Sequence, residues 1–92
     1  MIQSFHCRDT EKLFNNHFVK RFSGIEKAAR IKLKLLNAVD SLEDLRSPPG
    51  NRLEGLSGNR EGQYSIRINQ QWRICFMWQN NNAHAVEVVD YH

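Results

Sequence analysis

The chain is poor in the residues that fix a fold by covalent or metal chemistry. Of its 92 residues only Cys7 and Cys75 are cysteine, whereas a secreted domain of this size usually carries about four to six in a disulfide framework. A reducing, cytoplasmic setting is therefore expected. Zinc ligands recur at separations of roughly two to four residues, but here His6 and Cys7 are adjacent and His17 and His84 stand alone. A phosphate-binding P-loop, a dinucleotide-binding glycine pattern and a glycine-flanked serine elbow are all missing, so neither a metal nor a nucleotide cofactor is expected. The opening residues 1–5 lack a charged segment followed by a long apolar one, and no run approaches the length of a membrane span. Neither export nor membrane insertion is expected, and there is no repeat or low-complexity segment.

What is present suits one small core. Apolar residues make up 40% of the chain and aromatics 10%, enough for a single domain over residues 1–92 with a stability of about 5–10 kcal/mol. Thirteen Lys and Arg against ten Asp and Glu give a net charge of +3, a balance that suits a polyanionic partner without requiring one.

The first half reads as helical and the second as sheet. Ile2 and Phe5 frame a short apolar start that suits an edge or first strand, and Asp9 or Thr10 can cap a brief helix through Leu13 and Phe14. Ser23 followed by Glu26 fits a capping box. Ala28, Ile31, Leu35, Ala38, Val39 and Leu42 then recur at helical steps and predict the apolar face of the main helix. Another turn is expected near Ser41 and Leu45, before Pro48, Pro49 and Gly50 forbid helix continuation. Three strands follow: Tyr64, Ile66 and Ile68 alternate with polar residues; Trp72, Ile74, Phe76 and Trp78 share a face opposite Arg73, Cys75 and Met77; and Ala83 leads a last strand with Val86 and Val88 on one side. Short polar turns between them imply antiparallel pairing, giving an α+β fold with helices on one sheet face.

Within that frame the candidate site residues are mostly basic. Arg73 lies inside an aromatic strand but faces away from Trp72, so it either grips an anion on the open sheet face or is buried and paired, with Glu87 as the expected partner. Arg67 shares the side of Ser65, and Arg52, Ser57, Asn59 and Arg60 lead into the sheet through a polar, glycine-bounded loop. Lys27, Arg30, Lys32 and Lys34 form a cationic helix face that is either a solvated surface or a phosphate-binding one. The final strand runs into Asp90, Tyr91 and His92, which offer a carboxylate, a phenol and an imidazole for proton transfer near neutrality.

Residues 1–5, the stretch Leu56, Ser57, Gly58, Asn59, Arg60, Glu61 and Gly62, the strand Trp72, Arg73 and Ile74, and the ending Asp90, Tyr91 and His92 together resemble the HigB host-inhibition toxins of the RelE/ParE superfamily. The proline-bearing residues 46–53 resemble the subgroup of the GraT toxin. The resemblance implies N-terminal helices packed on a mostly antiparallel twisted sheet. It also implies a ribosome-dependent, metal-independent messenger-RNA endonuclease without cofactor, neutralised by a HigA-like helix-turn-helix antitoxin through which the complex binds operator DNA. It makes Asp90 and His92 the proton-handling pair, lets Tyr91 orient or stack on a base and lets Arg73 steady the phosphate. RNA contacts would then come from Arg52, Ser57, Asn59, Arg60 and Arg67, and from Lys27, Arg30 and Lys34 on the helix. Some HigB toxins carry a histidine and a lysine where this chain has Glu54 and Ser57, which implies slower cleavage or compensation by Arg52 or Arg60. Two other functions stay open: poisoning of DNA gyrase, as in other superfamily members, and ribosome binding without cleavage.

Overall fold

The computed structural model describes residues 1–91. Helix α1, Arg8–Phe14, is followed by a 3₁₀ turn and by α2, Glu26–Ala38. Two further 3₁₀ turns, Leu42–Arg46 and Pro49–Asn51, lead to β1, Glu54–Gly55, and then to β2, Gln63–Arg67, β3, Trp72–Gln79, and β4, Asn82–Asp90. The four strands pair antiparallel in the order β1-β2-β3-β4. This is the expected α+β arrangement, with β1 an addition that two residues were too few to signal. The chain start lies along β4 in the parallel sense, bridging Ile2 to Ala83 and Phe5 to Val86.

One face of the sheet is the core side. Ile66, Ile74, Phe76, Val86 and Val88 meet Leu13, Phe22, Leu33, Leu36 and Leu45 from the helical layer, all essentially fully buried. Phe22 meets Trp72 edge-on at 5.6 Å between ring centres. The β3–β4 hairpin turns on Asn80 and Asn81, with φ of 51° and 62°, the left-handed pair that a two-residue hairpin needs and that asparagine tolerates. Farther along β4 the register shifts between Cys75 and Met77, and Ala85 takes φ 51°. This bulge inserts one residue, so Ala83, Val86 and Val88 can all turn inward.

The apolar stripe of α2 is only partly the expected one: Val39 is buried and Leu35 and the following Leu42 pack against the core, but the rest of the stripe is shifted. Ala29, Leu33, Leu36 and Val39 are buried, whereas Ala28 and Ala38 are exposed and Ile31 is 57% exposed. Arg30 explains the rotation: its Nε donates to the Leu13 carbonyl at 2.9 Å and its Nη2 to that of His17 at 3.2 Å, tying α2 across the end of α1. The capping box at Ser23 does not form either. Ile25 occupies the N-cap without a side-chain bond, and Glu26 Oε1 instead accepts from the Gly24 N–H at 2.7 Å. Thr10, offered as a cap for α1, is a buried residue of that helix and accepts from the Val88 N–H at 3.0 Å. Ser41 does cap the next turn, accepting from the Asp44 N–H at 3.4 Å.

The proline segment is anchored by a residue that no pattern singled out. Asn51 is fully buried; its amide nitrogen donates to the carbonyls of Leu45 at 3.2 Å and Ser47 at 3.3 Å, and its Oδ1 accepts from Lys32. Removing the amide leaves buried groups unpaired, so Asn51→Ala is expected to lower stability by about 1–3 kcal/mol. Ile31→Ser, on the solvent side of α2, is expected to change it by less than about 0.5 kcal/mol. Urea unfolding of both variants checks this, and a larger loss for the Ile31 variant than for the Asn51 one would contradict the assignment of the buried face.

Candidate functional site

Strand register assembles the site on the sheet face turned away from the helices. Arg67 stands directly opposite Arg73, and Arg73 opposite Val89; in the next row on that face, Ser65, Cys75 and Glu87 line up. Like charges at directly opposed positions repel, so two guanidiniums there need a reason. Arg73 has only 8% of its surface exposed and is held rather than salted out. Its Nε donates to Ser65 Oγ at 2.8 Å, and its Nη2 to the Arg52 carbonyl at 2.5 Å and the Ser65 carbonyl at 3.4 Å. Glu54 Oε1 lies 3.9 Å away. The expected pairing with Glu87 is therefore not what the fold makes: Glu87 is one row farther along and meets Arg60 at 3.4 Å. Among the described residues Arg73 Nη1 makes no hydrogen bond, which leaves a donor for a ligand.

Around Arg73 opens a cleft of about 320 Å³ lined by Arg52, Arg67, Asn69, Gln70, Glu54 and Tyr91. Three guanidiniums against one carboxylate make it electropositive, and among the described residues neither Arg52 nor Arg67 is in an ion pair. Such a cluster, with planar forks and amide donors at the rim, is suited to a phosphate group. Arg52 adopts φ 45°, a left-handed conformation that costs energy outside glycine and that sets its carbonyl on Arg73. Among the described residues no three His, Cys, Asp or Glu side chains come together as metal ligands.

Tyr91 closes one side of the cleft. Its N–H donates to the Gln71 carbonyl at 2.5 Å, and its ring centre lies 5.9 Å from the Arg73 guanidinium carbon. Burial pushes the Tyr91 phenol above its ordinary range, and the neighbouring Cys75 adds to this. Burial likewise pushes the Cys75 thiol up, against the pull of Arg60, Tyr91 and Arg73. Both groups therefore stay protonated at neutrality, which makes Tyr91 a donor rather than a base.

The other sequence-predicted residues are dispersed. Asp90 stands opposite Trp72, on the row of the core face, and accepts from Gln71 Nε2 at 3.1 Å, so its carboxylate is not among the groups lining the arginine cleft. His92 lies outside the described residues. Lys27, Arg30 and Lys34 belong to α2, on the opposite side of the sheet, and Arg30 is occupied in holding α1. Asn59 and Arg60 line a second cleft on the open face, and Ser57 is exposed beside the turn that carries them. Sequence reasoning missed Ser65 as the anchor of Arg73, and Asn69 and Gln70 as the rim; the strand alternation placed Ser65 on the right face, but only the register set it against Arg73.

The two raised groups give a pH signature. A group whose folded pKa lies above its unfolded value contributes stability below the unfolded value and loses it as the pH rises through the folded one. With ordinary values of 9.0 for the thiol and 10.0 for the phenol, the melting temperature should be level between pH 7 and about 8.5 and fall above about pH 9. Cys75→Ala should flatten the first part of that fall; an identical alkaline decline in the variant would show that the thiol does not take part.

Comparison with known proteins agrees with this architecture. A family model, the RelE-like toxin of type II toxin-antitoxin system HigB, matches residues 3–92. The endoribonuclease HigB of Proteus vulgaris is 42% identical over 96 aligned positions that span 100% of both chains. Toxin HigB-1 of Vibrio cholerae is 52% identical over 61 residues, covering 66% of this chain and 64% of that protein. In that match, and in one to a Haemophilus influenzae protein, the chain spans just under two thirds of the relative's length, 64% and 60% respectively. Among solved structures, a chain of the YoeB-YefM complex from Staphylococcus aureus superposes with a TM-score of 0.63 at 20% identity, over 100% of this chain and 98% of that one. YafQ from Escherichia coli superposes with a TM-score of 0.61 at 13% identity, over 98% and 93%. These structural likenesses establish the fold, and with the family match over nearly the whole sequence the chain belongs to the HigB-like family of RelE-like toxins.

Proposed function

We propose that this chain is the toxin of a type II toxin-antitoxin pair, and that it is an endoribonuclease cutting messenger RNA on the ribosome. The observation that carries the reading is the pair of directly opposed arginines on the sheet face turned away from the helices, a half-buried Arg67 beside a buried Arg73, both lining one cleft, an arrangement that an RNA phosphate relieves. The relative named as an endoribonuclease matches over its full length. Its partner is a HigA-like helix-turn-helix antitoxin, through which the pair binds operator DNA, and the site of action is the cytoplasm. The YoeB-YefM neighbours are themselves toxin-antitoxin complexes.

The chemistry is transfer of the phosphodiester to its own ribose. The 2′-oxygen forms a bond to phosphorus and gives up its proton, the bond to the 5′-oxygen breaks, and that oxygen takes a proton. Arg52, Arg67 and Arg73 hold the phosphate oxygens as charge builds on them. Tyr91, kept protonated, donates within the cleft. Two groups are available to take the 2′-OH proton: Glu54, the carboxylate lining the cleft, and His92, the imidazole that follows Tyr91 in the chain. Asp90 acts as a positioning residue, since it holds Gln71, whose carbonyl in turn holds the Tyr91 backbone.

Primer-extension mapping of a translated message, with and without ribosomes, tests this. Cuts are expected only with ribosomes, reduced about tenfold or more by Tyr91→Phe and by Arg67→Ala. Comparing Glu54→Gln with His92→Ala identifies the base by which of them lowers the rate and shifts its pH profile. Intact RNA from folded wild-type protein would sink the nuclease reading. Accumulation of broken DNA in expressing cells would then point to gyrase, and ribosome binding with intact RNA to blocking alone.

A further inference from the structure

The open sheet face carries a second cleft that the phosphate chemistry does not use. It has a volume of about 380 Å³ and is lined by His6, Asn59, Arg60, Gln63, Ala85 and Glu87. It lies along the strands from the first: Gln63 and Arg67 are the two ends of β2, four residues or about 13 Å apart, longer than one nucleotide of an extended strand. Arg60 spans the interval. Its guanidinium meets Gln63 Oε1 at 3.2 Å and Glu87 Oε1 at 3.4 Å, and its charge also acts on Cys75 and Tyr91 at the edge of the first cleft.

The chemistry of this cleft differs from that of its neighbour. The arginine is matched by Glu87, so no excess positive charge is left to hold a phosphate. What remains is the side-chain amide of Asn59, the amide nitrogen of Gln63, whose Oε1 already accepts from Arg60, and the His6 ring, whose side chain is 62% exposed and whose Nε2 lies 4.0 Å from Glu87. Amide edges beside an exposed aromatic ring are the means by which an unstacked base is read and stacked on. The floor is open because the bulge places Ala85 there, where only a methyl group occupies the space.

We infer that the second cleft is a base-binding subsite for single-stranded RNA, taking a nucleotide that flanks the one held at Arg67 and Arg73 and setting the sequence preference of cutting. Gln63 and Asn59 read the base edge, and His6 stacks on it. This rests on the proposed nuclease reading, and the test separates the two. Cut sites are mapped by sequencing a pool of translated messages treated with wild type, Gln63→Ala and His6→Ala, and the relative use of sites is compared within each sample, so that a change in overall rate does not enter. Base preference at one position beside the cut is expected to flatten at least threefold in both variants, with His6→Phe restoring part of it. Unchanged preference in folded variants overturns the subsite while leaving the nuclease reading intact. If wild type cuts nothing, the nuclease reading fails, and an NMR titration of the wild-type protein with a 2′-O-methyl RNA trinucleotide still decides the subsite: shifts at the His6 ring and Gln63 side-chain amide support it, and their absence overturns it.

Discussion

Arg73 is a guanidinium almost out of water in the middle of a sheet, and burial of a charge is tolerated only where its donors find acceptors. The partners come from three parts of the chain: a hydroxyl and a carbonyl of β2, a carbonyl of the loop before β1, and the Glu54 carboxylate of β1. Satisfying Arg73 therefore fixes the loop and both strands relative to β3. The loop is in turn pinned by Asn51, which links it to α2 through Lys32. The arginine cleft is thus built on a frame in which the acceptors, more than the charges, set the geometry.

The two sheet faces divide the work. Ile74 and Phe76 meet the helical layer, while Arg73 and Cys75, alternating with them in sequence, turn to the other face, where Arg73 lines the arginine cleft. The bulge at Ala85 keeps β4 on both tasks: it restores inward packing for Val86 and Val88 and leaves a shallow floor on the other side. A chain start that pairs in parallel with β4, with Gln3 and His6 N–H groups donating to Ala83 and Val86 at 2.8 and 2.9 Å, covers what would otherwise be an open edge and brings His6 to the second cleft.

Family membership and site geometry bear on different parts of the functional argument. The family match covers residues 3–92 and places the chain among HigB-like toxins; the cleft gives it an electropositive site. Glu54 borders the three arginines with its carboxylate. A carboxylate there lowers the local positive charge and adds a proton acceptor beside the guanidiniums.

The sequence by itself determined the order of elements, the break at the two prolines, the alternation of β2 and β3 and the opposite facing of Arg73 and Trp72, because local periodicity and turn chemistry act over a few residues. It also carried the family resemblance in its motifs. It did not determine the phase of α2, since a helix with apolar residues on several sides is rotated by whatever polar contact it must make, here Arg30 on the ends of α1. Nor did it determine the partner of Arg73: Glu87 and Ser65 were both on the right face, and a shift of one row in pairing decided between them. The same holds for Asp90, whose neighbour Tyr91 reaches the arginine cleft while its own carboxylate turns to Gln71. Adjacent residues on a strand face opposite ways, so which of two neighbours belongs to a site is settled only when the sheet has chosen its register and its core.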